Sequence, residues 1–267
     1  MRFAILSDIH SNLEALEAVL ADARAQSCTH FVCLGDVVGY NANPSECVKL
    51  IRELDCPVVK GNHDEQASIV ASTEAFNELA EEAIGWTRDH LSADDKAWLA
   101  DLRLTRQVRD FTIVHATLDS PGRVGLRLQQ SRRDRELHLP AHHALFFGTP
   151  IGRPLSSAKT TTSAASPSGR IVLDPGKKYF INPGSIGQPR DRDWRAAYCI
   201  FHTDRQVVEQ RRVEYDLKTA QNKIRQARPA GPSRRPARRS AGRARRLPVT
   251  VIPKRSPAES RIPRNCP

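Results

Sequence analysis

Short apolar runs alternate with longer amphipathic stretches along the first part of the chain. Residues 2–6 read as a buried strand, and residues 12–26 follow with Leu13, Leu16, Val19, Leu20 and Ala23 at near-helical spacing. Residues 29–34 predict a second strand, residues 44–54 a helix with Pro44 near its first turn, and residues 57–59 a third strand. This β-α-β-α-β order predicts parallel strands with right-handed crossovers, hence an α/β fold. Residues 73–90 predict a helix, and Ser92 an N-cap for a short helix ending near Leu102, with Asp94 and Asp95 in its first turn. Residues 107–114 have strand character, as do residues 144–147, 196–202 and 206–214, the last two joined by a turn at Thr203-Asp204-Arg205. Residues 171–173 and 178–182 are ordered runs about a turn at Asp174-Pro175-Gly176, and residues 217–227 begin a helix.

Two stretches break this rhythm. Residues 122–139 are Arg-rich without a clean period, and residues 156–168 are rich in Ser, Thr and Ala, with the look of a loop. The pattern divides the chain into one α/β domain, residues 1–225, with residues 122–170 atypical, and a basic Pro/Arg-rich tail, residues 226–267, expected to be disordered.

Charge sharpens that division. The net charge is +11, but residues 225–267 hold thirteen Arg and Lys and one acid, Glu259, which gives that stretch +12 and residues 1–224 a charge of −1. The tail has no aromatic residue for base stacking, so any nucleic-acid binding through it would be salt-dependent and indifferent to sequence. No apolar run is long enough to span a membrane, and the first residues lack the features of a signal peptide. Six scattered cysteines form no Cys-x-x-Cys pair and have no zinc-finger spacing. A cytoplasmic protein with buried free thiols is the expectation, with no membrane partner; oligomeric state is not legible.

The chemistry lies at the ends of the strands. The first ends in Ser7-Asp8-Ile9-His10, the second in Gly35-Asp36, the third in Gly61-Asn62-His63-Asp64, and the fourth in His115-Ala116-Thr117. Open α/β sheets build their sites at this carboxyl edge. Taken singly, a strand-end His is more often a hydrogen-bonded structural residue, and a strand-end Asp caps the next helix. As a set, Asp8, His10, Asp36, Asn62 and His115 make a metal-ligand constellation. Carboxylate, imidazole and amide oxygen together suit Mn, Fe or Zn better than Mg or Ca. Two ions about 3.5–4 Å apart clamp a phosphoryl group and activate water for in-line attack. Asp36 is placed to bridge two ions, His63 to stabilise or protonate the leaving oxygen, and Asp64 to orient His63. Tyr40, Asn41, Arg190 and Arg192 are candidate substrate contacts; an Arg can grip phosphate as a fork.

Asp8-Ile9-His10, Gly35-Asp36-Val37-Val38-Gly39-Tyr40, Gly61-Asn62-His63-Asp64 and Val114-His115-Ala116-Thr117 resemble the calcineurin-like metallophosphoesterases. The branch they resemble most is that of the small prokaryotic phosphodiesterases, often labelled diadenosine tetraphosphatase-like. Asn182-Pro183-Gly184-Ser185-Ile186-Gly187-Gln188-Pro189-Arg190 is similar to a later signature of that branch. The resemblance implies a four-layer α/β/β/α sandwich with two facing mixed sheets. It implies hydrolysis of a phosphodiester or phosphomonoester with two divalent metal ions, manganese first, with iron, zinc or nickel as alternatives. It also implies roles: Asp8 and His10 hold the first ion, Asp36 bridges, Asn62 and His115 hold the second, and His63 serves catalysis. The residues themselves add Asp64 as the catalytic partner of His63, and Tyr40 and Arg190 as substrate contacts.

One motif of that family is missing. Gly-His-Thr-His is expected after a strand such as residues 144–147, and the chain has Gly148-Thr149-Pro150-Ile151. His142 and His143 stand at the start of that strand, on the order of 15 Å from its end. Gly-His-Thr-His encoded as GGC CAC ACC CAT becomes Gly-Thr-Pro-Ile on loss of one C. The aperiodic residues 122–139 and the Arg/Pro-rich tail have the character of GC-rich coding sequence read out of frame. The sequence therefore predicts sequencing errors or real frameshifts, and for the chain as it stands weak metal loading and low or absent turnover. The alternative expectation is an inactive phosphoesterase-fold scaffold, or one that binds nucleic acid through its basic tail.

Overall fold

The computed structural model describes residues 1–69, 78–115, 144–148, 161–162, 169–227 and 249–253. The strands are β1 (Arg2–Leu6), β2 (His30–Cys33), β3 (Thr105–Val108), β4 (Phe111–Val114), β5 (Ala144–Phe147), β6 (Thr161–Thr162), β7 (Arg170–Val172), β8 (Lys177–Ile181), β9 (Ala196–His202), β10 (Val207–Val213) and β11 (Val249–Pro253). The helices are α1 (Leu13–Ala25), α2 (Pro44–Glu53), α3 (Asn62–Ser68), α4 (Glu78–His90), α5 (Ala93–Asp101) and α6 (Leu217–Ala227). They build two mixed sheets, in the orders β2-β1-β9-β10-β7 and β3-β4-β5-β8-β11-β6.

Alternation along the strands makes the layers. Phe3 and Ile5 of β1, with Val32 and Leu34, point towards the second sheet and meet Phe111, Ile113, Phe146 and Tyr179. Phe111 stands edge-on to Phe3, Phe146 and Phe201, with ring centroids 5.3–5.5 Å apart. Ala4 and Leu6 point the other way, into a core with Leu16, Val19 and Leu20 of α1 and Val48 and Ile51 of α2. Among the described residues no helix packs on the outer face of the second sheet, where the fourth layer is expected.

β1 and β2 pair in parallel, as the crossover pattern predicts, while β9 pairs antiparallel with β1 and makes the sheet mixed. The third strand is short: Val58 bridges Cys33 and Val59 bridges Arg103, both in parallel, so residues 57–59 tie the end of β2 to the segment before β3 without forming a longer strand. Residues 107–114 are not one strand. Arg109 takes a left-handed φ of 52°, and the chain folds into the antiparallel hairpin β3–β4. Ser92 caps α5 as predicted: its hydroxyl accepts from Asp95 N at 3.0 Å, and the Asp95 carboxylate accepts from Ser92 N. Within residues 226–267, β11 pairs antiparallel with β8.

The thiols of Cys28, Cys33, Cys47 and Cys199 are buried and free, and that of Cys56 is half-buried. Burial pushes the Cys28 thiol up to about 11 and those of Cys56 and Cys199 up to about 12, which makes them poor nucleophiles. No described helix is long and apolar enough to cross a membrane.

Candidate metal centre

The predicted ligand loops converge where β1, β2 and β4 end. The loop after β1 runs beside the loop after β2: Asp8 N donates to Gly35 O, His10 N to Asp36 O and Ser11 N to Val37 O, at 2.9–3.0 Å. The cost is local strain. Asp8, His10, Ser11, Asp36 and Tyr40 all take left-handed φ values of 51–58°, which non-glycine residues adopt only when their surroundings hold them there. Backbone outliers grouped on the ligand-bearing residues themselves are the mark of a functional loop.

The side chains form a buried polar cluster. Asp8, His10, Asp36, Asn62, His63 and His115 are each less than 5% exposed. His115 Nε2 lies 3.1 Å from Asn62 Oδ1 and 3.4 Å from Asp36 Oδ2, and its Nδ1 lies 2.7 Å from the Leu34 carbonyl. His10 Nε2 lies 3.7 Å from Asp8 Oδ1 and 3.8 Å from Asp36 Oδ2. Two groups of ligand atoms each fall within 4.8 Å: His10, Asp36 and His63, and Asp8, Asp36 and His115. Asp36 belongs to both, as a bridging carboxylate must. The grouping crosses the expected pairs, since His63 sits with His10, and Asp8 reaches towards His115.

These residues fit divalent cations. Bonds of about 2.1 Å put neighbouring ligand atoms roughly 3–3.5 Å apart, close to the Asn62–His115 and His115–Asp36 separations. Asn62 Nδ2 is buried without a hydrogen-bond partner among the described residues, and the amide's oxygen faces the cluster, 3.1 Å from His115 Nε2. The electrostatics agree. Burial acts to raise the Asp36 carboxyl, but the imidazoles of His115, His63 and His10 outweigh it and hold it well below the usual range. Burial acts to lower His115, yet Asp36 and then Asp8 push it up to about 10. Two buried carboxylates thus draw positive charge onto a neighbouring ring, a demand that a divalent cation meets.

His63 and Asp64, predicted as the catalytic pair, have different surroundings. The His63 ring stands 4.9 Å from that of His10 and 4.5 Å from that of Tyr40, and the backbone N–H of His63 donates to Asp36 Oδ1 at 2.9 Å. Burial lowers it to about 4, with Asp36 opposing. The Asp64 carboxylate accepts from Gly61 N at 2.9 Å and Val38 N at 3.2 Å. It clips two ligand loops together, and burial, then Asp36, push its carboxyl up to about 6. Tyr40 is half-buried, and Arg190 is exposed but close enough for its charge to act on Tyr40. Asn41 is bound inward: its Nδ2 donates to His10 O at 2.7 Å.

Several supporting residues escaped the sequence reading. Ser185 Oγ donates to Asp8 O at 2.9 Å, Ile186 N to Ser7 O and Gly187 N to Asp8 O. The 182–188 signature thus acts as a brace on the first ligand loop, and its similarity to the family signature was the available signal. Ser7 Oγ donates to the Asp8 carboxylate. β5 ends at the site: a Cβ on Gly148 would lie 2.7 Å from His115 Nδ1 and 3.0 Å from Ser7 Oγ. The strand end after which Gly-His-Thr-His is expected thus abuts His115. Thr149, Pro150 and Ile151, with His142 and His143, lie outside the described residues.

Comparison with known proteins gives the lineage. Residues 1–149 match the calcineurin-like phosphoesterase superfamily domain. The chain is 39% identical over 230 residues to the uncharacterized protein MJ0912 of Methanocaldococcus jannaschii, covering 83% of this chain and 90% of that one. It is similar to the crystal structure of a metallophosphoesterase from Sphaerobacter thermophilus, with a TM-score of 0.66 and 33% identity over 85% of this chain and 94% of that one. The hypothetical protein PH1004 from Pyrococcus horikoshii OT3 shares the fold, with a TM-score of 0.64 at 18% identity over 84% of this chain and 92% of that one. The strand-end ligands, the paired sheets and these matches agree: the chain belongs to the calcineurin-like phosphoesterase superfamily.

Proposed function

We propose that the chain is a metal-dependent phosphoesterase acting on a phosphodiester or phosphomonoester, impaired by the loss of Gly-His-Thr-His. The observation that carries this reading is Asp36, shared by the two groups of ligand atoms. Asp8, His10, Asp36, Asn62 and His115 would hold two divalent cations, manganese first, with iron, zinc or nickel as alternatives. Bound there, such ions supply Lewis-acid polarisation of the phosphoryl group and lower the pKa of water.

The chain's own groups do the rest. Asp36 ties the two halves of the site and fixes the His63 backbone through its N–H. With burial holding its pKa near 4, His63 is neutral at neutral pH and offers one N–H as a hydrogen-bond donor to the leaving oxygen. Asp64 is a positioning residue that acts through Gly61 and Val38. Tyr40 forms a wall beside His63, and Arg190 supplies a cation at the rim for the phosphate. Buried, unreactive thiols support a cytoplasmic location.

Hydrolysis of a chromogenic phosphodiester and monoester with added Mn²⁺ tests the reading, with Asp36→Asn as the control. We expect slow, Mn²⁺-dependent turnover that Asp36→Asn abolishes. Turnover untouched by Asp36→Asn would refute the site.

The replacement of two expected ligands by Gly148-Thr149-Pro150-Ile151 favours a second reading: a phosphoesterase-fold protein without turnover, which scaffolds or binds nucleic acid through its basic tail. Mn²⁺ binding without hydrolysis of either ester, together with salt-sensitive retention on nucleic acid, would select it.

A further inference from the structure

The His63 ring is bounded by a turn that belongs to another strand. Gly39 takes a φ of +99°, and a Cβ built on it would lie 2.6 Å from His63 Nδ1 and 3.1 Å from Cγ. No side chain fits there while the ring keeps its place. The next residue, Tyr40, packs its ring 4.5 Å from His63 and 4.9 Å from His10. The preceding residue, Val38, is held by Asp64, the residue after His63. His63 and the 38–40 turn are therefore fixed to each other on both sides, and Gly39 sets how far the ring can approach.

We propose that Gly39 is a positioning residue for His63: by lacking a side chain, it admits the imidazole to its place beside Asp36 and His10. The ring's placement follows from geometry alone. Only the kinetic consequence rests on the proposed phosphoesterase reading.

Gly39→Ala, His63→Ala and the double variant of the full chain test this without metal. If the added methyl meets the ring, Gly39→Ala lowers the melting temperature, and His63→Ala relieves most of that loss in the double variant. If backbone strain at φ +99° is the whole cost, the loss is equal in both backgrounds and the proposal falls. Should Gly39→Ala fail to fold, a folded double variant supports the proposal and an unfolded one overturns it. The ring signals of His63 in proton NMR, assigned by their absence in His63→Gln, should move in Gly39→Ala while those of His115 stay. Unmoved His63 signals would also overturn it. In a chain carrying Thr149→His, Pro150→Thr and Ile151→His, loaded with Mn²⁺, Gly39→Ala should lower kcat on the order of 10- to 100-fold with KM and Mn²⁺ content unchanged. It should cost nothing further beside His63→Ala. If His63→Ala leaves kcat intact, the catalytic role of His63 fails, and the melting and NMR results still decide the role of Gly39.

Discussion

Gly187 is pressed against Ile9 so closely that a Cβ on it would lie 1.8 Å from the Ile9 carbonyl oxygen. The contact joins the brace of the 182–188 segment to the loop that carries Asp8 and His10. Gly187→Ala must therefore push that loop aside, and we expect lower thermal stability together with weaker Mn²⁺ binding. Gly85 of α4 is the counter-example, because a Cβ there meets nothing within 4 Å. Gly85→Ala should stabilise by about 0.5–1 kcal/mol, read from urea unfolding, with Mn²⁺ binding unchanged.

Removing His115 takes away an imidazole that stands beside both Asn62 and Asp36. His115→Ala should weaken Mn²⁺ binding by more than the roughly 10- to 100-fold cost of disturbing residues behind a metal site. Titration calorimetry on the metal-free chain measures it, and an unchanged isotherm would remove His115 from the ligand set.

Restoring the missing motif should work in the opposite direction. Gly148 already abuts His115, so Thr149→His with Pro150→Thr and Ile151→His adds two imidazoles just beyond the site. Metal analysis should show higher Mn²⁺ content, and ester hydrolysis should rise with it. Gain of neither would contradict the site assignment. Sequencing the gene is the companion test: a neighbouring frame that fails to encode Gly-His-Thr-His would dispose of the frameshift.

Acid stability should report on Asp22, far from the metal loops. Burial acts to raise its carboxyl, but hydrogen bonds from Arg211 at 2.7 and 2.9 Å and from Tyr198 at 2.6 Å outweigh this and hold it below its ordinary 3.8. A lowered folded value means that the network contributes fully above pH 3.8 and fades as pH falls through the folded value. Asp22→Asn should therefore lower the melting temperature at pH 7 and narrow the gap to wild type in strong acid. An equal gap at both pH values would mean that ionisation of Asp22 contributes nothing.

The tail makes a separate prediction. Replacing Arg234, Arg235, Arg238 and Arg239 with Gln should leave hydrolysis unchanged and reduce retention on nucleic acid, with a shallower salt dependence. These variants are preferable to deletion, because deleting the tail also removes β11 from its place beside β8. Retention that survives the substitutions would place any nucleic-acid binding elsewhere.

The strand ends were legible because apolar runs and ligand-type residues meet there: Asp8, His10, Asp36 and His115 lie together, and Asn62 touches His115. What stayed hidden depends on backbone. The turn at Arg109 that splits β3 from β4 has no Gly, Asn or Pro to announce it, since its left-handed residue is an arginine. In sequence Asp64 reads as the residue that orients His63, and only its bonds to Gly61 N and Val38 N show a clip between loops. The brace role of Ser185 and Gly187 is equally invisible, because both act on main-chain atoms more than 170 positions away.

Asp36 follows a strand of one sheet and His115 ends a strand of the other, yet their ligand atoms stand 3.4 Å apart. An ion gripping both would rivet the two halves of the sandwich. Folding and cation binding then become one equilibrium, and the melting temperature should climb with free Mn²⁺ as mass action fills the bound, folded state. A chain with a weakened grip would feel metal scarcity first as fragility, before any change in the rate of a reaction.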